Sequence, residues 1–148
     1  LVRPCLEYAL CLWDPYTAKY IHKVEIVQRT AARFICNKYK RTDSVTETLD
    51  YLGLDTLGAR CPGCRLKYLY LIYNNVLQIN NHNFITPHSL RTSLRFNNGK
   101  MIEKYTPLNN TFKYSFFPRT IHAWNKLPRN IVDSTSAEEF VANLKMLG

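Results

Sequence analysis

Glycine is scarce in this chain, with 5 residues scattered along 148 positions. A phosphate-cradling loop needs clustered glycines to bring backbone N–H groups onto a nucleotide, and none is present. A nucleophilic serine in a Gly-flanked elbow is missing for the same reason. No Asp-Asp pair occurs, so two-metal nucleotidyl transfer has no carboxylate dyad here. No apolar run reaches the roughly 18 residues that span a bilayer, and the start carries no secretory signal. The five cysteines, Cys5, Cys11, Cys36, Cys61 and Cys64, are odd in number and unevenly spaced. That argues against a disulfide framework and for a reducing, intracellular setting, nucleus or cytoplasm. The chain opens on Leu1-Val2-Arg3-Pro4, which reads as the inside of an open reading frame.

Acids are also few, and they are unevenly placed. Lys and Arg number 20 against 11 Asp and Glu, for a net charge of +9. Such an excess favours polyanions, nucleic acid before an acidic membrane surface; plain solubility is the alternative. Hydrophobic residues make up 46% of the chain, enough to build a core at this length.

The hydrophobic spacing predicts a mainly α-helical protein. Residues 1–12 look helical until Asp14-Pro15 breaks them. A second helix is expected over 17–37, burying Ile21, Val24, Val27, Ala31, Phe34 and Ile35. Ser44 with Glu47 makes a capping box, and Gly53 closes the short helix that follows. Thr56 should cap the next helix, with Pro62-Gly63 kinking or interrupting its start. Its stretch over 65–78 places Leu66, Leu69, Tyr70, Tyr73, Val76 and Leu77 on one buried face. Residues 80–114 are Asn-rich and punctuated by Pro87, Gly99 and Pro107, an irregular, partly β segment with short strands expected at 93–96 and 112–114. Helix returns from Ser115, with Pro118 in a first turn and Leu127-Pro128 as the stop. A last helix starts at Ser136, capped with Glu139, and buries Phe140, Val141, Leu144 and Leu147 before Gly148 ends it. Stretches 1–79, 80–114 and 115–148 are expected to share one compact domain.

The basic residues fall in two tracts. Residues 19–41 hold Lys19, Lys23, Arg29, Arg33, Lys38, Lys40 and Arg41 against Glu25 alone. On a helix, His22, Arg29 and Arg33 form a stripe opposite the apolar face, which Lys40 joins if the helix runs that far. Such a row follows a phosphate backbone, or else is a solvated face. Residues 56–132 hold eleven bases, among them Arg60, Arg65, Lys67, Lys100, Arg119 and Arg129, and one acid, Glu103. Asp43, Glu47, Asp50 and Asp55 cluster in one place and Asp133, Glu138 and Glu139 in another. Segregation of that kind makes a field. Tyr105, Phe112, Tyr114, Phe116, Phe117 and Trp124 interleave with the bases; Phe117 and Trp124 read as core rather than base-stacking rings.

Cys61-Pro62-Gly63-Cys64 has the spacing of half a zinc site or a redox pair. No second CxxC exists, and His82 and His88 lie six apart, wider than finger spacing. Further ligands would have to come from afar, such as Cys36 or His122. Two incidental thiols at a helix start is the plainer reading. His122, inside an aromatic stretch, reads as structural.

Three ordered stretches go further than composition. The first is Leu1-Val2-Arg3-Pro4, Leu6-Glu7-Tyr8, Trp13-Asp14-Pro15, Val27-Gln28-Arg29, Ala31-Ala32-Arg33 and Phe34. The second is Phe116-Phe117-Pro118-Arg119-Thr120-Ile121 with Trp124-Asn125-Lys126-Leu127-Pro128. The third is Asn130-Ile131-Val132-Asp133-Ser134, then Phe140 and Leu144-Lys145. In this order they resemble the end of reverse transcriptase polyproteins of jockey-like non-LTR retrotransposons. The resemblance implies a non-catalytic C-terminal portion of an RNA-directed DNA polymerase. Its implied partners are template RNA or target DNA and the upstream polymerase domain of the same polyprotein, not a membrane. Magnesium is implied for that parent enzyme, with no cofactor and no catalytic residue in this chain. Thr30 stands where the family often has a second arginine, and Cys61-Pro62-Gly63-Cys64 where it usually continues a basic helix. The residues expected to meet nucleic acid are Arg29, Arg33, Lys40, Arg41, Arg65, Lys67 and Arg119. The alternatives are a helical scaffold packed on the polymerase domain and a small zinc-binding module built on Cys61 and Cys64.

Overall fold

The computed structural model describes residues 14–40, 43–80, 83–88 and 98–147. The expected helix over 1–12, the strand at 93–96, Arg41 and Gly148 lie outside them. The described chain is mainly α-helical, without a sheet: α1 (Ala18–Cys36), α2 (Val45–Tyr51), α3 (Leu57–Tyr73), α4 (Asn110–Lys113), α5 (Phe116–Trp124), α6 (Arg129–Val132) and α7 (Ala137–Lys145). One isolated antiparallel bridge, Pro87 to Ile102, marks the irregular segment. The chain divides into two compact units, 1–62 and 63–148. No helix among the described residues is long and apolar enough to cross a membrane.

In the first unit, α1 packs through an unexpected face. Its buried residues are Glu25, Gln28 and Ala32. Val27, Phe34 and Ile35, expected inside, are exposed. At 100° per residue the buried face is turned about a quarter turn from the apolar stripe. Directional bonds account for this. Glu25 Oε1 accepts the Gly58 N–H at 3.0 Å, in the first turn of α3, where backbone donors lack helical partners. Gln28 Nε2 donates to the Asp55 carbonyl at 2.9 Å, and its Oε1 accepts from Arg60 at 2.7 Å. Thr48, Leu49, Leu57 and Cys61 are the other buried residues among those described in this unit.

Helix ends follow cap chemistry. Ser44 accepts from the Glu47 N–H at 3.3 Å and Ser136 from the Glu139 N–H at 3.1 Å, as the capping boxes require. Thr56 Oγ1 accepts from Ala59 N–H at the start of α3. The expected kink is not a break: α3 runs through Pro62, which sits in its second turn and removes only the single N–H that would bond the Gly58 carbonyl. Three helices close in Schellman motifs, with Asn37 (φ 53°), Gly53 (φ 61°) and Asn75 (φ 55°) in the left-handed conformation. At Asn75 the Val76 N–H reaches the Leu71 carbonyl at 2.9 Å. α3 therefore stops at Tyr73 and not near 78, which leaves Val76 63% exposed.

The second unit's core gathers Leu66, Leu69 and Tyr70 of α3 with Ile102, Ile121, Trp124, Ile131, Val132 and Phe140. Tyr70 stacks on Phe140 with ring centroids 4.6 Å apart, and its hydroxyl donates to the Ser134 carbonyl at 2.7 Å. Trp124 is fully buried and Phe117 half-buried, stacked on Phe84 at 4.8 Å. The strand expected at 112–114 is helical instead, because Asn109 caps α4 by accepting the Phe112 N–H at 2.7 Å. Leu147, expected in the core, lies beyond the end of α7 and is exposed. His122 is exposed as well, not enclosed among the aromatics.

Candidate nucleic-acid interface

On α1, His22, Arg29 and Arg33 share one stripe, at positions i, i+7 and i+11. His22 and Arg29 are exposed and Arg33 is half-buried. The Arg33 Nε is buried without a hydrogen-bond partner. Arg29 lines a cleft with Asp50, Leu54, Asp55 and Thr56. Two acids of the cluster that looked segregated in sequence thus lie beside the central base of this stripe. A phosphate approaching Arg29 meets carboxylates too, which weakens the local field. Lys40 does not extend the stripe, because Asn37 ends the helix; Lys40 is exposed and its N–H donates to Asp43 Oδ2 at 2.9 Å.

The second unit repeats the lesson with Asp133. Lys100 Nζ lies 3.3 Å from Asp133 Oδ1 and donates to the Val132 carbonyl at 3.2 Å. Arg129 Nε is 3.1 Å from Asp133 Oδ2. These two bases of the long basic tract serve the end of α6. Hydrogen bonds from Arg129, then from Lys100, hold the Asp133 carboxyl below its ordinary range.

Arg65 and Arg119 remain as the unit's distinctive pair. Arg65, on α3, is only 7% exposed. It is not the surface contact that its place in the basic tract suggested. Burial, and then the like charge of Arg119 on α5, bring its guanidinium down to about 10. It stays cationic at neutral pH. Arg119 is half-buried in the first turn of α5, and along that helix and the turn after it His122 and Lys126 follow at i+3 and i+7, both exposed. The helix's opposite side carries the buried Thr120, Ile121 and Trp124. Lys67, Lys104 and Lys113 are exposed in the same unit. Lys104, Lys113 and Lys126 were part of the basic tract, but nothing in their spacing singled them out. The i, i+7 relation of Arg119 and Lys126 becomes legible once α5 is fixed.

Cys36 and Cys64 are half-buried and Cys61 is buried in α3. Among the described residues no group of three His, Cys, Asp or Glu side chains gathers around a common point. Comparison with protein-family models, with curated proteins and with solved structures gave no match to this chain.

Proposed function

We propose that the chain is the C-terminal, non-catalytic portion of a reverse transcriptase of a jockey-like non-LTR retrotransposon, and that it offers a basic surface to template RNA or target DNA. The ordered motif set from Val27-Gln28-Arg29 through Phe116-Phe117-Pro118-Arg119 to Asn130-Ile131-Val132 supports the lineage. The observation that carries the binding role is the set of exposed bases in the second unit, Lys67, Lys104, Lys113 and Lys126, with Arg119 half-buried on α5. A phosphate backbone that meets such a set displaces its counterions. Arg119 and Lys126 form an anchor, with exposed Lys67, Lys104 and Lys113 adding steering charge in the same unit. In this reading the partner domain is the upstream polymerase of the same polyprotein, magnesium belongs to that enzyme, and the setting is the nucleus or cytoplasm.

The test is binding of the full chain to single-stranded RNA and duplex DNA across a salt series. If about five phosphates are neutralised, log affinity falls with log salt at a slope of about −4. Arg119→Glu and Lys126→Glu should each flatten the slope by about 1. No binding at low salt overturns the proposal and favours a helical scaffold packed on the polymerase domain.

A further inference from the structure

α1 leaves its most apolar surface uncovered. Phe34 is 74% exposed, Ile35 62%, Val27 48% and Ile26 45%. With Thr30 and Ala31 these residues line a shallow groove along the helix. The six positions form two rows, Ile26–Thr30–Phe34 and Val27–Ala31–Ile35, each with a spacing of four. Rows of that spacing are the ridges of an α-helix, and the groove between two of them receives a ridge of a second helix in the commonest packing class. Small side chains, Thr30 and Ala31, occupy the middle of both rows. Bulky ones stand at either end. The relief is open where a crossing helix would seat its side chains and walled on both sides of that point. A crossing helix makes use of a groove between two ridges.

Charge narrows the partner. The row of Val27 continues toward the N-terminus through Lys23 to Lys19, and Lys38 follows just beyond the helix end; all three are exposed. Glu25, the one acid in α1, is on the buried face and bonded to Gly58. Both ends of the groove are therefore basic. A second copy of the same helix would bring lysines to lysines with no exposed acid on α1 to offset them. We infer that this face of α1 seats an amphipathic helix of another protein, with an apolar ridge spaced by four and carboxylates on its flanks. Recognition has the form of a helix laid in a groove, with the apolar ridge supplying affinity and the carboxylate–lysine pairs fixing orientation.

The experiment uses the full chain and a designed helical peptide with leucines spaced by four and glutamates on both flanks. A control peptide carries lysines in place of the glutamates. Fluorescence anisotropy should show binding of the acidic peptide and a loss of about tenfold or more for the lysine peptide. Phe34→Asp should abolish binding, and Thr30→Arg, which fills the groove from an exposed position, should do the same. Circular dichroism of both variants should match that of the parent chain. Absence of binding to the acidic peptide overturns the inference, as does equal binding of the two peptides or binding that survives Phe34→Asp. Two further outcomes also overturn it by assigning the face elsewhere: self-association of the chain that Phe34→Asp abolishes, or binding to phosphatidylserine vesicles that displaces the peptide. RNA binding anchored at Arg119 should be unaffected by Phe34→Asp, so the two proposals stand or fall separately.

Discussion

The indole N–H of Trp124 donates to the carbonyl oxygen of Lys100 at 2.9 Å. The next residue, Asn125, pairs with the Ile102 peptide in both directions, accepting its N–H at 3.0 Å and donating to its carbonyl at 2.7 Å. Asn98 reaches back to the Trp124 and Leu127 carbonyls at 3.2 and 3.3 Å. The Trp-Asn-Lys-Leu-Pro stretch is thereby the fastening that holds an irregular segment to the helical core. Trp124→Ala should cost roughly 3–5 kcal/mol. Trp124→Phe keeps most of the ring and should cost roughly 1–3 kcal/mol through the orphaned Lys100 carbonyl. Urea unfolding followed by circular dichroism separates the two, and equal losses would show that the ring alone matters.

Glu25 acts as a tertiary cap on α3. Its carboxylate takes the Gly58 N–H and lies at the positive end of that helix. Glu25→Ala should cost roughly 1–2 kcal/mol, in the range of a lost N-cap. Amide exchange read residue by residue should quicken at Gly58 and its neighbours in the first turn of α3. Unchanged exchange at Gly58 would contradict the capping role.

Asn75 occupies a left-handed position that a glycine would fill without strain. Asn75→Gly should leave stability within a few tenths of a kcal/mol of the parent, whereas Asn75→Val should cost about 1–2 kcal/mol from the backbone alone. Thermal melts of the two variants check this, and a tolerated valine would refute it.

The acid limb of stability has a definite sign. The Asp133 carboxyl is lowered by hydrogen bonds from Arg129 first and Lys100 second, and that of Glu139 by the hydroxyl and N–H of Thr135. A lowered folded value means that the contribution is fully present above the unfolded value of about 4 and is lost as pH falls through the folded one. Stability measured by urea at a series of pH values should fall below about pH 4, and the fall should be shallower in Asp133→Asn. An identical acid limb in that variant would remove Asp133 from the account.

Local chemistry was the legible part of this chain. Ser44–Glu47 and Ser136–Glu139 announced helix starts because the cap and its partner are three residues apart, and Gly53 announced a stop. Asn75 was missed because asparagine takes the left-handed conformation without advertising it as glycine does. At 112–114 a short strand was expected, and the preceding Asn109 decided otherwise through one hydrogen bond. Charge was misread for a different reason. Asp50 and Asp55 are distant from Arg29 in sequence, and Lys100 is distant from Asp133, yet folding brings each set together. The Arg65–Arg119 pair was invisible for the same reason, since only tertiary packing makes neighbours of residues fifty-four apart.

The way α1 is seated has an evolutionary corollary. Its rotation about its own axis is indexed by Glu25 and Gln28, whose bonds to Gly58, Asp55 and Arg60 would all be lost if the helix rolled to hide its apolar stripe. Hydrophobic mass can therefore be added to or removed from Ile26, Val27, Phe34 and Ile35 without re-aiming the helix. The part of the sequence that fixes the architecture and the part that is free to track a changing neighbour are interleaved on the same nineteen residues, and they diverge under separate constraints.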